Sequence, residues 1–183
     1  MANNLKSIAV YCGHQMGKDP QFKRDAMAVG RMLAKNNIKM VFGGGDVGLM
    51  GTVASAALKN GGEVIGVSTD DVIAMQEPAH PEIEVLVVGG VNERKQIMFE
   101  QADAFIILPG GIGTLNELTD IMTMQQIGET DKPLFFLNTN GFWNPLNRLI
   151  KHMQKFGFIV KVDNYNIFSA DTVAELKKQI LKY

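Results

Sequence analysis

The sequence predicts an open, doubly wound α/β fold with a parallel sheet of about six or seven strands and helices on both faces. Three observations point there. Short apolar runs alternate with longer segments of helical period. The runs are nearly continuously apolar, as in strands buried on both faces. Glycine clusters fall where a strand hands over to a helix, the edge at which such sheets bind ligands.

Each element follows from local pattern. Ser7-Ile8-Ala9-Val10-Tyr11 is an apolar run ending at Gly13, hence a strand. Residues 20–36 place Phe22, Ala26, Val29 and Leu33 at helical spacing. Lys39–Phe42 is a strand running into Gly43-Gly44-Gly45, and a helix from Leu49 to Lys59 stops at Asn60-Gly61-Gly62. Glu63–Val67 is the third strand. Residues 68–82, with two prolines and two adjacent aspartates, read as a loop. Ile83–Val88 is a strand, 92–101 a helix, and Asp103–Leu108 a strand closed by Pro109. A helix over Thr114–Ile127 and a strand over Lys132–Leu137 follow. Helices at 142–156 and 171–182 flank a seventh strand near Tyr165–Phe168. The patterns at 20–36 and 142–156 suit packing on the sheet or on a partner subunit.

Composition excludes several classes. A chain of 183 residues with 46% hydrophobic and 20% charged residues is too apolar for disorder and is expected to form one domain, 1–183. It can bury about 70% of its unfolded surface. The one cysteine, Cys12, closes no internal disulfide and builds no cysteine-rich zinc site. A net charge of −1 gives no bulk attraction to nucleic acid or anionic membrane. No apolar run approaches the roughly 18–20 residues that cross a bilayer. The opening MANNLKSIAVY lacks a basic region followed by an apolar stretch, so a cytoplasmic protein is expected.

Eight of the 19 glycines lie at 43–51 and 110–113. Glycine allows positive φ and close backbone approach, and the following helix offers unpaired N–H groups to an anion. Gly13-His14-Gln15-Met16-Gly17-Lys18-Asp19 is one residue short of a Walker A loop. Gly43, Gly45 and Gly48 meet the dinucleotide fingerprint formally, with Asp70 downstream, but after the second strand rather than the first. A mononucleotide site built from both clusters is the other reading. Tight turning alone does not account for Gly110-Gly111-Ile112-Gly113, since each glycine weakens the backbone by about 0.5–1 kcal/mol relative to alanine.

The charged residues beside these loops each carry two readings. Thr114-Leu115-Asn116-Glu117 has the form of a capping box. Alternatively, Glu117 binds ribose hydroxyls, stabilises an oxocarbenium-like carbon and activates water. Asn92 suits an N-cap and Glu93 a first turn, but Arg94 and Lys95 oppose the helix dipole there. They are either a solvated pair or compensated by a bound phosphate or base. His14, His80 and His152 lack metal spacing, Asp70-Asp71 reads as solvated loop, and Cys12 as a small core residue. Met98, Met122 and Met124 fit apolar helix faces, as core or as the wall of an apolar substrate pocket.

Together these residues resemble a known family. Val10-Tyr11-Cys12-Gly13, the stretch Val41–Gly51, Glu93-Arg94-Lys95 and Pro109-Gly110-Gly111-Ile112-Gly113-Thr114-Leu115-Asn116-Glu117 are similar to the LOG (LONELY GUY) family, cytokinin riboside 5′-monophosphate phosphoribohydrolases often labelled "lysine decarboxylase-like". The resemblance runs from about Ser7 to Val160. It implies a Rossmann-like fold, a homodimer, and hydrolysis of an AMP-type nucleotide, often N6-prenylated, to free base and ribose 5-phosphate. It implies no metal or redox cofactor and no nucleic-acid or membrane partner. Arg94 and Glu117 are the catalytic residues it implies. Gly110, Gly111, Gly113 and Thr114 would hold the phosphate, with Gly13, Gly43, Gly44, Gly45 and Lys95 completing the nucleotide site. The chain departs from the pattern at His14 and Gln15, where serines are usual, at Asn92, usually His, and at Asn116, usually Glu. These departures bear on substrate choice. A non-catalytic nucleotide-binding protein on the same scaffold is the alternative.

Overall fold

A computed structural model describes residues 5–75, 80–159 and 165–183. Part of the expected 68–82 loop, and Val160, lie outside them. Seven parallel strands form one sheet: β1 (Ser7–Tyr11), β2 (Lys39–Phe42), β3 (Val64–Thr69), β4 (Glu84–Val88), β5 (Ala104–Ile107), β6 (Leu134–Leu137) and β7 (Ile167–Ala170). Their order is β4-β3-β2-β1-β5-β6-β7. The direction of winding reverses between β1 and β5, so the loops after these two strands border the crevice where ligands bind in such sheets.

The helices are α1 (Pro20–Lys35), α2 (Gly48–Leu58), α3 (Asp70–Met75), α4 (Val91–Glu100), α5 (Ile112–Ile127), α6 (Asn144–Lys155) and α7 (Val173–Lys182). Strand alternation sorts the core. Ile8 and Val10 face a cluster with Ala26 and Val29 of α1, Val53 of α2 and Leu176 of α7. Ala9 and Tyr11 face the opposite cluster, with Met98 of α4 and Leu118 and Ile121 of α5. Helices therefore cover both faces, and burying the inner strands on both sides produces their continuous apolar runs.

Several elements differ at their ends from expectation, and four differences have a visible cause. The 68–82 segment contains α3, whose start carries Asp70 and Asp71 in the first turn and Thr69 Oγ1 accepting from the Val72 amide at 3.3 Å. Both features favour a helix start. The last strand lies two residues further along, because it registers on β6 with Leu134 opposite Ile167 and Leu137 opposite Ala170. α4 starts at Val91 with Gly90 as N-cap, so Asn92 lies inside the helix. α5 starts at Ile112 with Gly111 as N-cap, so Thr114 is in the first turn and is not the cap.

α1 packs on the sheet and on α2. α6 has no fully buried residue; Leu146 and Ile150 touch the core, while Leu149 is 49% exposed and Phe156, just beyond the helix, 61%. No helix among the described residues is long and apolar enough to cross a membrane.

Candidate active site

The turn after β1 is stitched to its neighbours. The Gly13 amide donates to the Pro109 carbonyl (3.0 Å), and the Gly13 carbonyl accepts from the amides of Leu49 (3.1 Å) and Met50 (3.3 Å). The N-terminus of α2 is thereby filled by protein. A pyrophosphate cannot use it, which removes the physical basis of the dinucleotide reading at 43–48.

The N-terminus of α5 is different. Gly111 occupies the N-cap, and no side chain caps the first-turn amides. These amides and the helix dipole suit a phosphate. Gly110 belongs to the same turn. A Cβ there would run into the Thr114 hydroxyl, so glycine at 110 lets Thr114 pack, almost fully buried, at the mouth of the helix. A cavity of about 140 Å³ opens at this point, lined by Gly13, His14, Gly111, Gly113, Thr114, Arg94 and Glu117 among others.

Arg94 is fixed by partners remote in sequence. Its Nε donates to the Val67 carbonyl of β3 (2.8 Å), and Nη2 donates to the Gly43 carbonyl (3.2 Å). Nη1 faces Glu117 Oε1 at 3.7 Å, with the two side chains 12% and 13% exposed. A Cβ on Gly43 would collide with the guanidinium. Gly43, Gly44 and Gly45 are all buried and do not line the cavity; Gly43 is the one against Arg94, whereas a Cβ on Gly44 would meet Ser68 and Val85. This answers the misfit of a cation at a helix N-terminus: strand and loop carbonyls, plus a carboxylate, compensate Arg94. The neighbouring Glu93 ties the helix to the preceding turn, its Oε2 accepting from the Gly89 amide at 2.9 Å.

Glu117 lies in the second turn of α5, beyond the reach of a capping role. Burial, the largest influence, raises its carboxyl from 4.5 to about 7, while Arg94 and then Lys95 oppose the rise and Asp120 adds to it. Such a group gives and takes protons near neutrality. Burial and, next, the charge of Glu117 push the Tyr11 hydroxyl and the Cys12 thiol upward, which leaves Cys12 a poor nucleophile.

Lys95 is placed apart from this smaller cavity. Its Nζ donates to Asp120 Oδ2 (2.6 Å) and Asn116 Oδ1 (3.2 Å), bridging α4 to α5. It lines a second cavity of about 360 Å³ with Tyr11, Phe99, Met124, Asn92 and Glu117. Met98 and Met122 are core residues, and only Met124 of the three reaches this wall. Phe99 and Asp120 carried no motif signal in the sequence, and Tyr11 only as part of the Val10–Gly13 run. Glu117 lines both cavities, with phosphate-type donors on one side and an apolar, partly polar wall on the other. Among the described residues no group of three His, Cys, Asp or Glu side chains is placed to hold a metal.

Known proteins resemble this chain in sequence and in fold. The sequence model of a family described as "possible lysine decarboxylase" matches residues 50–180. A cytokinin riboside 5′-monophosphate phosphoribohydrolase from Rhodococcoides fascians is 41% identical over 155 residues, covering 84% of this chain and 78% of that protein. The cytokinin riboside 5′-monophosphate phosphoribohydrolase LOG of Oryza sativa subsp. japonica is 38% identical over 181 residues, covering 99% of this chain and 75% of that one. Among solved structures, the molybdenum cofactor carrier protein from Chlamydomonas reinhardtii superimposes with a TM-score of 0.71, covering 97% of this chain and 98% of that chain. At 19% identity it shows a shared fold alone. The family match spans the segment that holds Arg94, the 110–113 loop and Glu117, and with relatives 38% and 41% identical over most of its length the chain belongs to the LOG family.

Proposed function

We propose that this protein hydrolyses the N-glycosidic bond of an AMP-type purine nucleoside 5′-monophosphate, N6-prenylated forms included, to free base and ribose 5-phosphate. The relatives' shared name supports the reaction class. The observation that carries it is the position of Glu117 in the wall of both cavities. A phosphate on the α5 amides and a base beside Phe99 and Met124 bring the sugar between them, at Glu117.

The chemistry follows. The C1′–N bond breaks with its electron pair leaving on the base, and positive charge develops at C1′. Ionised Glu117 binds ribose hydroxyls and stabilises that charge. Water attacks C1′, and Glu117 accepts its proton, which is returned to the departing base. Arg94, held by two backbone carbonyls, orients Glu117 and assists departure of the base. Gly13, Gly110, Gly111, Gly113 and Thr114 shape the phosphate end, Gly43 leaves room for the Arg94 guanidinium with Gly44 and Gly45 in the same buried turn, and Lys95 borders the base. A lysine decarboxylase would need an amine free to join an aldehyde cofactor, and Lys95, beside Glu117, is engaged by Asp120 and Asn116 instead.

The active unit in this reading is a cytoplasmic homodimer of chain 1–183, without a nucleic-acid partner. Large apolar side chains left exposed along α5, α6 and the turn after α6 support the second copy: Ile127, Leu149, Phe156 and Phe158. The test is chromatography of products from AMP, GMP, CMP and N6-prenylated AMP. Release of adenine or its prenylated form together with ribose 5-phosphate is expected. Nucleotide binding without base release would leave a binding protein.

A further inference from the structure

The phosphate cavity is short of positive charge. A phosphate monoester brings about −1.5 to −2, and a helix N-terminus offers about half a positive charge. Arg94 lines the cavity, but two of its nitrogens are committed to the Val67 and Gly43 carbonyls and the third faces the Glu117 carboxylate. Lys95 is paired with Asp120 outside this cavity. Among the described residues lining the cavity, the remaining side chain able to carry positive charge is His14.

His14 is well held for such a role. The preceding residue, Gly13, bonds to Pro109, Leu49 and Met50 through its amide and carbonyl. The His14 carbonyl packs so closely on Gly48, at φ +61°, that a Cβ there would collide with it. The backbone is thus fixed by the loop after β5 and the start of α2, while the side chain is exposed and makes no ion pair among the described residues.

We propose that His14 binds the substrate's 5′-phosphate across the cavity from the α5 amides, and so sets the preference for a nucleoside 5′-monophosphate over the nucleoside. The inference rests on the phosphoribohydrolase reading above. It also gives the His14 departure from the usual serine a chemical purpose: a histidine ring carries an N–H donor further from the backbone than a serine hydroxyl, toward a bound phosphate.

The experiment is steady-state kinetics of His14→Ser and His14→Lys on AMP and adenosine, with ribose 5-phosphate binding followed by calorimetry. Lys18→Ala is the control, since Lys18 borders the neighbouring open cleft with His14 but does not line the phosphate cavity. His14→Ser is expected to raise the AMP KM and weaken ribose 5-phosphate by about 10- to 100-fold, the range of one hydrogen bond to a charged group. The loss falls on KM rather than kcat, the AMP-over-adenosine ratio drops by the same factor, and His14→Lys restores much of it. A wild-type KM in His14→Ser, an equal loss on adenosine, or the same loss in Lys18→Ala overturns the role of His14. If wild type releases no base from AMP, the reaction reading fails instead, and calorimetry with ribose 5-phosphate still decides whether His14 holds the phosphate.

Discussion

Replacing Glu117 by glutamine removes one ionisable oxygen and little volume, and two quantities should respond in opposite directions. Activity falls because the variant cannot take the water's proton or stabilise positive charge at C1′, and groups of this kind contribute about 10²–10⁴-fold. Stability rises at alkaline pH. A carboxyl raised from 4.5 to about 7 by burial favours its neutral form in the folded state. Its contribution is fully present below the unfolded value and is lost as pH climbs through about 7. The loss amounts to about 3 kcal/mol once both states are ionised. Glutamine, always neutral, escapes that loss. Denaturant unfolding at pH 5 and pH 8 should therefore show Glu117→Gln gaining on wild type by up to about 3 kcal/mol across this range. Adenine release measured on the same samples should fall at least about 100-fold. An active variant, or one that loses stability relative to wild type at pH 8, refutes the reasoning that makes Glu117 a buried acid–base group.

Other perturbations test the surroundings of Glu117. Arg94→Ala removes the charge that most opposes the rise of Glu117, so the acidic limb of the pH–rate profile should move to higher pH; an unmoved limb contradicts the coupling. Gly43→Ala places a methyl against the Arg94 guanidinium, and displacement of that group should cost about 100-fold in turnover while circular dichroism stays native; wild-type turnover would show that the room at Gly43 is unimportant. Cys12, buried with its thiol pushed upward, should resist iodoacetamide at pH 8 in the folded protein and react on unfolding; rapid labelling of native protein contradicts its burial. Leu149→Asp puts a charge on the exposed apolar side of α6 and should shift a dimer toward monomer in sedimentation velocity, whereas a monomeric wild type removes the dimer.

The sequence carried the sheet well and the long-range contacts poorly. β1, β2, β5 and β6 are readable because inner strands buried on both faces must be apolar throughout, so pattern and burial coincide. β7 slipped by two residues because its register is set by pairing with β6, not by its own composition. The Thr114–Glu117 spacing imitates a capping box, but the backbone conformation at Gly111 starts the helix two residues earlier. That displacement puts Glu117 in the second turn, where it lines both cavities. Arg94 and Glu117 were accessible as a motif, but the carbonyls that fix Arg94 lie 27 and 51 residues away in sequence. Only the β3-β2-β1 order brings them under α4. The 43–45 glycines were recognisable as unusual, yet the room that Gly43 leaves for the Arg94 guanidinium has no local signature. Relatives align over 181 residues, further than the Ser7–Val160 span on which the motifs alone rest.

In the proposed reaction the bond between base and sugar is cleaved, with Glu117 activating water. Incubating wild type with AMP in ¹⁸O-labelled water and analysing both products by mass spectrometry tests it most directly. Equal amounts of adenine and ribose 5-phosphate are predicted, with the label in the sugar and none in the base, and both products lost in Glu117→Gln. Unconsumed AMP, label in free phosphate, or full turnover by Glu117→Gln would contradict the account.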